Sequence, residues 1–531
     1  MASLGRASAI LGAGTLVSRV TGLVRTIVLV AAIGSVGSSA ADAFAVANQL
    51  PNNIYAIIST GILTGVIVPQ IVAAASHSDG GSRFVSKLMT LGAVVLVAAT
   101  ALALAVAPWL VSLYGPSFTG PQLALAVAFA YWCLPQLLFY GIYALVGEVL
   151  NARRVFGPYT WAPIVNNIVS IAGFLVFIAV FGSDRADALA WSPAMTAVMG
   201  ATATVGIAVQ SVVLLFFWRR AGLRVRPDFG WRGMGLRHIG TLAGWTFLMV
   251  VVGQLAALVQ TRVVSEASGA AASVMTMQIS WLIFMLPYSV IAFSIGTPYF
   301  TQLSEHVAAG RLVEVRTDLD VSIRTLGVFM MGATAVVAAT AVPVSRIFAN
   351  DAEAAVATAW VLGAYLVGLV PLAVLFVIQR AFYAFHDTRS PFLFTLVQAA
   401  LAAGTAVLAG AVLPVTFLAA GIALGQSASS LIQLAIAVWL LRRHTGPLQL
   451  GGTAIAIARF AGAALPAALA GWLAFVLLGG AGGWMLSSLV TAMLGAAAIG
   501  TVVVIVYAAG LAVLRAPELA SVGAALRRLR R

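Results

Sequence analysis

Acidic side chains are scarce: the 531 residues include 15 Asp and Glu against 29 Lys and Arg, and only 8% of the chain is charged. Soluble domains carry about 25% charged residues, so a water-soluble enzyme or binding module is excluded. Cysteine is nearly missing. Cys133 stands alone inside an apolar run, which rules out a disulfide framework or a zinc cluster and leaves it as a small packing residue. All five histidines fall in breaks between apolar runs, so no intramembrane histidine site is expected. There is no Walker A sequence, no HExxH and no His/Asp cluster. ATP hydrolysis, a bound metal, a cofactor and enzymatic chemistry are therefore not expected.

What the chain does have is apolar length. Hydrophobic residues make up 62%, and the mean hydropathy is +1.04. Apolar runs lie near 8–34, 41–73, 86–115, 121–149, 156–182, 194–218, 239–265, 271–303, 323–349, 354–384, 391–412, 414–441, 453–479 and 483–513. A span needs about 20 apolar residues, so these predict about fourteen transmembrane helices in an all-α polytopic protein. A β-barrel would need alternating strands, and these runs are apolar on all sides. The 51 glycines suit close helix packing in lipid. Pro51, Pro287 and Pro371 fall in the second, eighth and tenth runs, where proline frees backbone groups and kinks a helix.

The net charge of +14 is informative through its placement. With the N-terminus inside, cytoplasmic loops and tails take twenty-four basic residues, the opposite side takes Arg185, Arg262 and Arg346, and two remain within the membrane. This asymmetry predicts cytoplasmic termini and argues against nucleic acid as the partner. Arg-rich segments 219–237 and 527–531 set topology or hold anionic lipid headgroups. Arg19 and Arg25 interrupt the first run where a cleavable signal peptide would be apolar.

An internal echo divides the chain. Leu50-Pro51 followed by Gly61 matches Leu286-Pro287 followed by Gly296, at an offset of 236. It predicts two pseudo-symmetric six-helix halves, 1–230 and 231–445, then two extra helices over 446–515 and a basic tail over 516–531. A six-helix repeat preserves orientation and places a cavity between halves.

Arg19 and Arg25 are the most informative residues. A charge at bilayer depth costs about 2.5–3.5 kcal/mol on insertion scales, so it faces a cavity or a partner. Six residues place the two about 9 Å apart along the helix and about 120° around it. Guanidinium suits phosphate or carboxylate, which predicts an anion site; snorkelling or pairing with an acid are the alternatives, and acids are few. Apart from Asp42 and Glu148 near helix ends, the acids are expected in loops or the tail. Asp42 reads equally as a helix cap or a gating group. Asn52 follows Pro51, and Asn166 and Asn167 lie in the fifth run; such residues serve as interhelical hydrogen-bond partners or as substrate ligands.

Ser18-Arg19-Val20-x-Gly22-x-x-Arg25, with Asp42-Ala43-Phe44, Leu50-Pro51-Asn52 and Val68-Pro69, resembles the N-terminal signature of the MurJ/MviN flippases of the MOP superfamily. Ala162-Pro163 with Asn166 or Asn167, and Phe382-Tyr383-Ala384 before Asp387-Thr388-Arg389-Ser390-Pro391, are similar to that family too. The resemblance implies a flippase that moves lipid II, the undecaprenyl-diphosphate-linked peptidoglycan precursor, to the outer leaflet of a bacterial plasma membrane. It implies membrane lipids and cell-wall synthesis proteins as further partners. It places Arg19 and Arg25 at the diphosphate and a lipid-tail groove on the last two helices; beside them Ser18, Asn52, Tyr55 and Asn167 are expected at the substrate, and Gly22, Asp42, Pro51 and Pro287 in gating or structural roles. Two features depart from the family. Tyr55 stands where many members have a further cavity arginine, and the helix-eight arginine falls near Leu282, with no basic residue nearby in that run. The acid and asparagine that bind sodium in some members have no evident equivalents in runs seven, eleven and twelve. The readings set against this one are a sibling lipid-oligosaccharide flippase, a cation-coupled drug exporter, a polytopic glycosyltransferase and a scaffold.

Overall fold

The computed structural model describes residues 2–62, 81–153, 155, 157–218, 222, 225–230, 236–447 and 450–518. Val68-Pro69, the end of the second apolar run, most of the Arg-rich loop and the basic tail from 519 lie outside the described residues.

The described chain divides into two compact units, Met1–Gly269 and Ala270–Arg531. The first holds α1 (Ala2–Ile33), α2 (Ser39–Ile62), α3 (Ser82–Ala105), α4 (Ala107–Tyr114), α5 (Gly120–Cys133), α6 (Gln136–Ala152), α7 (Gly157–Phe181), α8 (Pro193–Phe216) and α9 (Leu236–Val264). The second holds α10 (Val274–Pro287), a π-helical turn (Tyr288–Ala292), α11 (Phe293–Ala308), α12 (Leu312–Ala339), α13 (Ala341–Arg346), α14 (Ala352–Leu366), α15 (Leu369–Ala384), α16 (Arg389–Val412), α17 (Val415–Thr445), α18 (Leu450–Leu477) and α19 (Leu489–Val513). Thirteen helical stretches among the described residues are long and apolar enough to cross a membrane, and each coincides with an expected run. The second run is represented by α2, whose polar Asn and Gln content lowers its hydropathy. All-helical architecture follows from the solvent: in lipid every backbone N–H and C=O must be satisfied within its own segment.

Sequence and structure differ at α12. The apolar run suggests a start near 323, yet the helix begins at Leu312. Its first three turns are amphipathic, so Asp318, Asp320, Arg316 and Arg324 sit on a helix instead of in a loop. Arg380, assigned by charge to a loop, likewise lies inside α15, under the rings of Phe300 and Phe376 at 5.1 and 5.0 Å. The seventh span, which the repeat assigns to the second half, packs here as α9 on α2 and α4 of the first unit.

Packing relies on small residues meeting large ones. A Cβ on Gly141 would come within 2.1 Å of Leu96, and one on Gly92 within 2.5 Å of Leu145, so α3 and α6 approach each other closely. Around them Val85, Leu88, Val146, Val149, Leu150 and Leu214 form a buried cluster. At the start of α2, Phe44, Phe129, Trp191 and Phe177 form a chain of ring contacts, two edge-to-face and one stacked, with centroid separations of 5.2–5.4 Å. In the second unit, α12, α18 and α19 enclose Phe460, Ala467, Ile499 and Val503. Without a hydrophobic force between helices in lipid, such close fits and interhelical hydrogen bonds carry the association.

Candidate functional site

The arginine-bearing helix is held from one side. Leu16, Val17, Val20 and Val24 form its exposed apolar face, suited to lipid. At 100° per residue, Gly14, Ser18, Thr21 and Gly22 fall on the opposite stripe, and this stripe seats on α7. A Cβ on Gly14 would come within 2.8 Å of Thr160, and one on Gly22 would lie 3.6 Å from Asn167 Nδ2. The buried Asn167 amide donates to the Ser18 carbonyl at 3.1 Å and to Thr21 Oγ1 at 3.0 Å. Its neighbour Asn166 stays within α7, accepting from Ser170 at 3.3 Å.

Arg25 continues the seated stripe and is half-buried, whereas Arg19 lies about 120° off it and is exposed. Neither arginine forms an ion pair with another described residue. Tyr140 on α6 is near enough to Arg25 to interact with it electrostatically, and its ring stacks on that of Tyr55 on α2 at 5.8 Å. Arg25, Tyr140 and Tyr55 thus form one cluster drawn from three helices, with an uncompensated cation at its centre. Such a cation is a ready receptor for an anion.

Of the other expected residues, Pro51 and Asn52 lie within about one turn of Tyr55 on α2. Asn52 is exposed on α2. Pro51 is buried inside α2, which continues through it to Ile62. Asp42 is fully buried in the first turn of α2; Ser268 donates to its Oδ2 at 2.7 Å, and Gln122 donates both to Ser268 Oγ at 2.7 Å and to the Ser39 carbonyl at 3.0 Å. Ser117 donates to Ser265 Oγ at 2.9 Å beside them. This polar clasp ties the segment after α9 to α2 and α5. Pro287 belongs to the second unit and is followed at once by the π turn.

Three features were missing from the sequence reading. Tyr140 completes the Arg25 cluster. Gln136, at the break between α5 and α6, bonds Asn48 and Thr204 at 3.2 Å each. Arg380 has its own surroundings in the second unit: Phe300, Phe376 and the tyrosines 288 and 383, with Gln379 donating to Tyr383 at 2.9 Å. No group of three His, Cys, Asp or Glu side chains among the described residues could hold a metal ion.

The fold matches a solved inward-facing multidrug transporter of the MATE family, of the MOP superfamily, with a TM-score of 0.65 at 16% identity, over 82% of this chain and 96% of that one. The chain therefore shares the polytopic helical fold of that protein. A closer fold match is the solved lipid II flippase MurJ in an inward closed conformation, with a TM-score of 0.73 at 18% identity, over 95% of this chain and 99% of that one. The family model described as "Lipid II flippase MurJ" matches residues 29–495, and the chain belongs to that family. Among curated relatives, a probable lipid II flippase from Haemophilus influenzae is 28% identical, over 71% of this chain and 75% of its own length. One from Synechocystis is 25% identical over 98% and 96%.

Proposed function

We propose that this chain moves lipid II from the inner to the outer leaflet of a bacterial plasma membrane by alternating access of its two halves, with both termini cytoplasmic. The observation that carries the reading is the uncompensated Arg25 inside a span, joined by Arg19 on the same helix. A diphosphate needs cationic, bidentate donors along its path, and α1 supplies them on a helix that Asn167 holds in place. The aromatic partners Tyr55 and Tyr140 border the site without adding a negative charge at neutral pH.

The last two helices present large apolar side chains on their outer face, among them Leu465, Leu469, Trp472 and Val476. They suit a long isoprenoid tail, which stays in hydrocarbon while the headgroup crosses. Further partners would be membrane lipids and cell-wall synthesis proteins.

The test is depletion of the protein in its host, followed by measurement of lipid II in each leaflet. Accumulation of lipid II in the inner leaflet, reversed by the wild-type chain, is the expected result. Unchanged lipid II with accumulation of another lipid-linked glycan would replace this substrate by that one.

A further inference from the structure

We propose that an anionic glycerophospholipid with a singly charged phosphodiester headgroup, of the phosphatidylglycerol type, resides in a groove of the second unit between α12, α15, α17 and α18. The groove encloses about 630 Å³, within the range of small-molecule sites and far more than a free phosphate fills. Its walls come from one stripe of each helix: Val374 and Ile378 on α15, Leu434, Val438 and Leu441 on α17, and Ile457 on α18. Arg316, Asp320 and Arg324, at i, i+4 and i+8 on α12, add a polar edge to this apolar slot.

The polar edge is built from three charges. Arg324 Nε donates to Asp320 Oδ1 at 3.0 Å, and the Thr453 hydroxyl donates to the same oxygen. Arg316 Nε donates to the Thr445 carbonyl at 2.7 Å. Both guanidinia lie against glycines: a Cβ on Gly446 would come within 3.2 Å of Arg316 Nη2, and one on Gly452 within 2.5 Å of Arg324 Nη2. Each arginine is therefore fixed through Nε, while the terminal nitrogens lie along a wall free of bulky side chains. Two guanidinia and one carboxylate leave a net charge of one, which complements a phosphodiester better than a doubly charged monoester or a diphosphate. An apolar slot below a basic mouth between transmembrane helices is the pattern that binds anionic lipid headgroups. The proposal is independent of the substrate path through α1.

Delipidated full-length protein in detergent is titrated with phosphatidylglycerol, and separately with phosphatidylcholine of the same chains, and bound lipid is counted by native mass spectrometry. The wild-type chain should retain one phosphatidylglycerol at least tenfold more tightly than phosphatidylcholine. In the Arg316→Gln, Arg324→Gln double variant the two lipids should bind within about twofold of each other. Leu434→Trp, which fills the slot and keeps the charges, should weaken phosphatidylglycerol at least tenfold. Inorganic phosphate and undecaprenyl diphosphate at matching concentrations should not displace it. Equal binding of the two lipids to the wild-type chain, an unaltered preference in the double variant, unchanged affinity in Leu434→Trp, or displacement by either competitor would each overturn the proposal.

Discussion

Arg25 and Arg19 share a helix and differ in surroundings. Arg25 is half-buried beside Tyr140, whereas Arg19 is exposed off the seated stripe. A charge-assisted contact is worth about 1.5–3 kcal/mol, so Arg25→Ala should slow lipid II flipping in proteoliposomes roughly tenfold to a hundredfold while insertion stays normal. Arg25→Lys should restore part of the rate, because an ammonium keeps the charge and loses the fork. Wild-type rates in Arg25→Ala would remove it from the substrate path. Gly22 allows a graded experiment on the seat of α1. Its added Cβ would lie 3.6 Å from Asn167 Nδ2, an ordinary contact, so Gly22→Ala should transport nearly normally. Gly22→Leu should push α1 off α7 and abolish transport, and equal activity of the two variants would show that this seat is unimportant. The arginines were legible because a charge inside an apolar run needs no alignment to be noticed. Tyr140 and Ser268 were not. Ser268 bonds Asp42 across 226 positions of sequence, and a pairing at that range leaves no local periodicity.

At the scale of elements, the turn between α15 and α16 is built around Asp387. Its Oδ1 accepts from the backbone amides of Arg389 and Ser390 at 3.0 and 2.9 Å, and its Oδ2 accepts from the Ser390 hydroxyl at 2.6 Å and pairs with His444 Nε2 at 2.9 Å. Partial burial raises its carboxyl pKa, but the Ser390 bonds and His444 outweigh that, and the net pKa lies below the ordinary value. A depressed carboxylate stabilises the fold above its unfolded pKa of about 3.9, and that contribution fades as pH falls through the lower folded value. The thermal midpoint in detergent should therefore fall as the pH is taken below about 4 in the wild type. In Asp387→Asn it should start lower and show less of this slope; identical slopes would mean that other carboxylates dominate. The family motif pointed to this segment, but the partnership with the last turn of α17 emerged only from the fold. Helix existence was legible throughout, since apolar length is a direct demand of the bilayer. The start of α12 was hidden because a membrane sets where apolar residues end, whereas a helix stops only where its backbone bonds do.

At the scale of the whole molecule, the spacing of 236 residues recurs. Pro135 and Pro371 are also 236 residues apart, as are Tyr140 and Phe376. The first pair flanks the breaks between α5 and α6 and between α14 and α15, and each aromatic packs on a tyrosine, at 5.8 and 6.2 Å. The spacing was visible in the sequence through Pro51 and Pro287, whereas its recurrence at Pro135 and Pro371 emerged only from the positions of the helix breaks. With an anionic headgroup moving outward, an inside-negative potential supplies about 2.3 kcal/mol per charge per 100 mV. Two net charges would then bias the equilibrium by about 4.6 kcal/mol, more than a thousandfold. Collapsing the potential at constant sodium should stop lipid II export, while exchanging sodium for choline at fixed potential should leave it nearly unchanged. Export that followed sodium and ignored potential would require a cation site made of carbonyls and hydroxyls. Orientation is checked separately. Cys133 is fully buried, so Val225→Cys and Ala525→Cys add the only reactive thiols, and both should resist external maleimide in intact cells.

The π turn after Pro287 acts as a stored rotation. One residue more than an α turn needs is inserted between α10 and α11, and each residue of an α-helix advances by about 100°. If that turn tightened into ordinary α-helix, every side chain beyond Ala292 would swing by about that angle relative to α10. Phe300 would then leave the guanidinium of Arg380, so a shift of one hydrogen-bond partner along the backbone would exchange one face of α11 for another. Deleting Val290 would remove the inserted residue, hold α11 in its present orientation against α10 and abolish the swing. The variant is expected to insert and fold yet fail to transport, and full activity would show that the turn is static scaffolding.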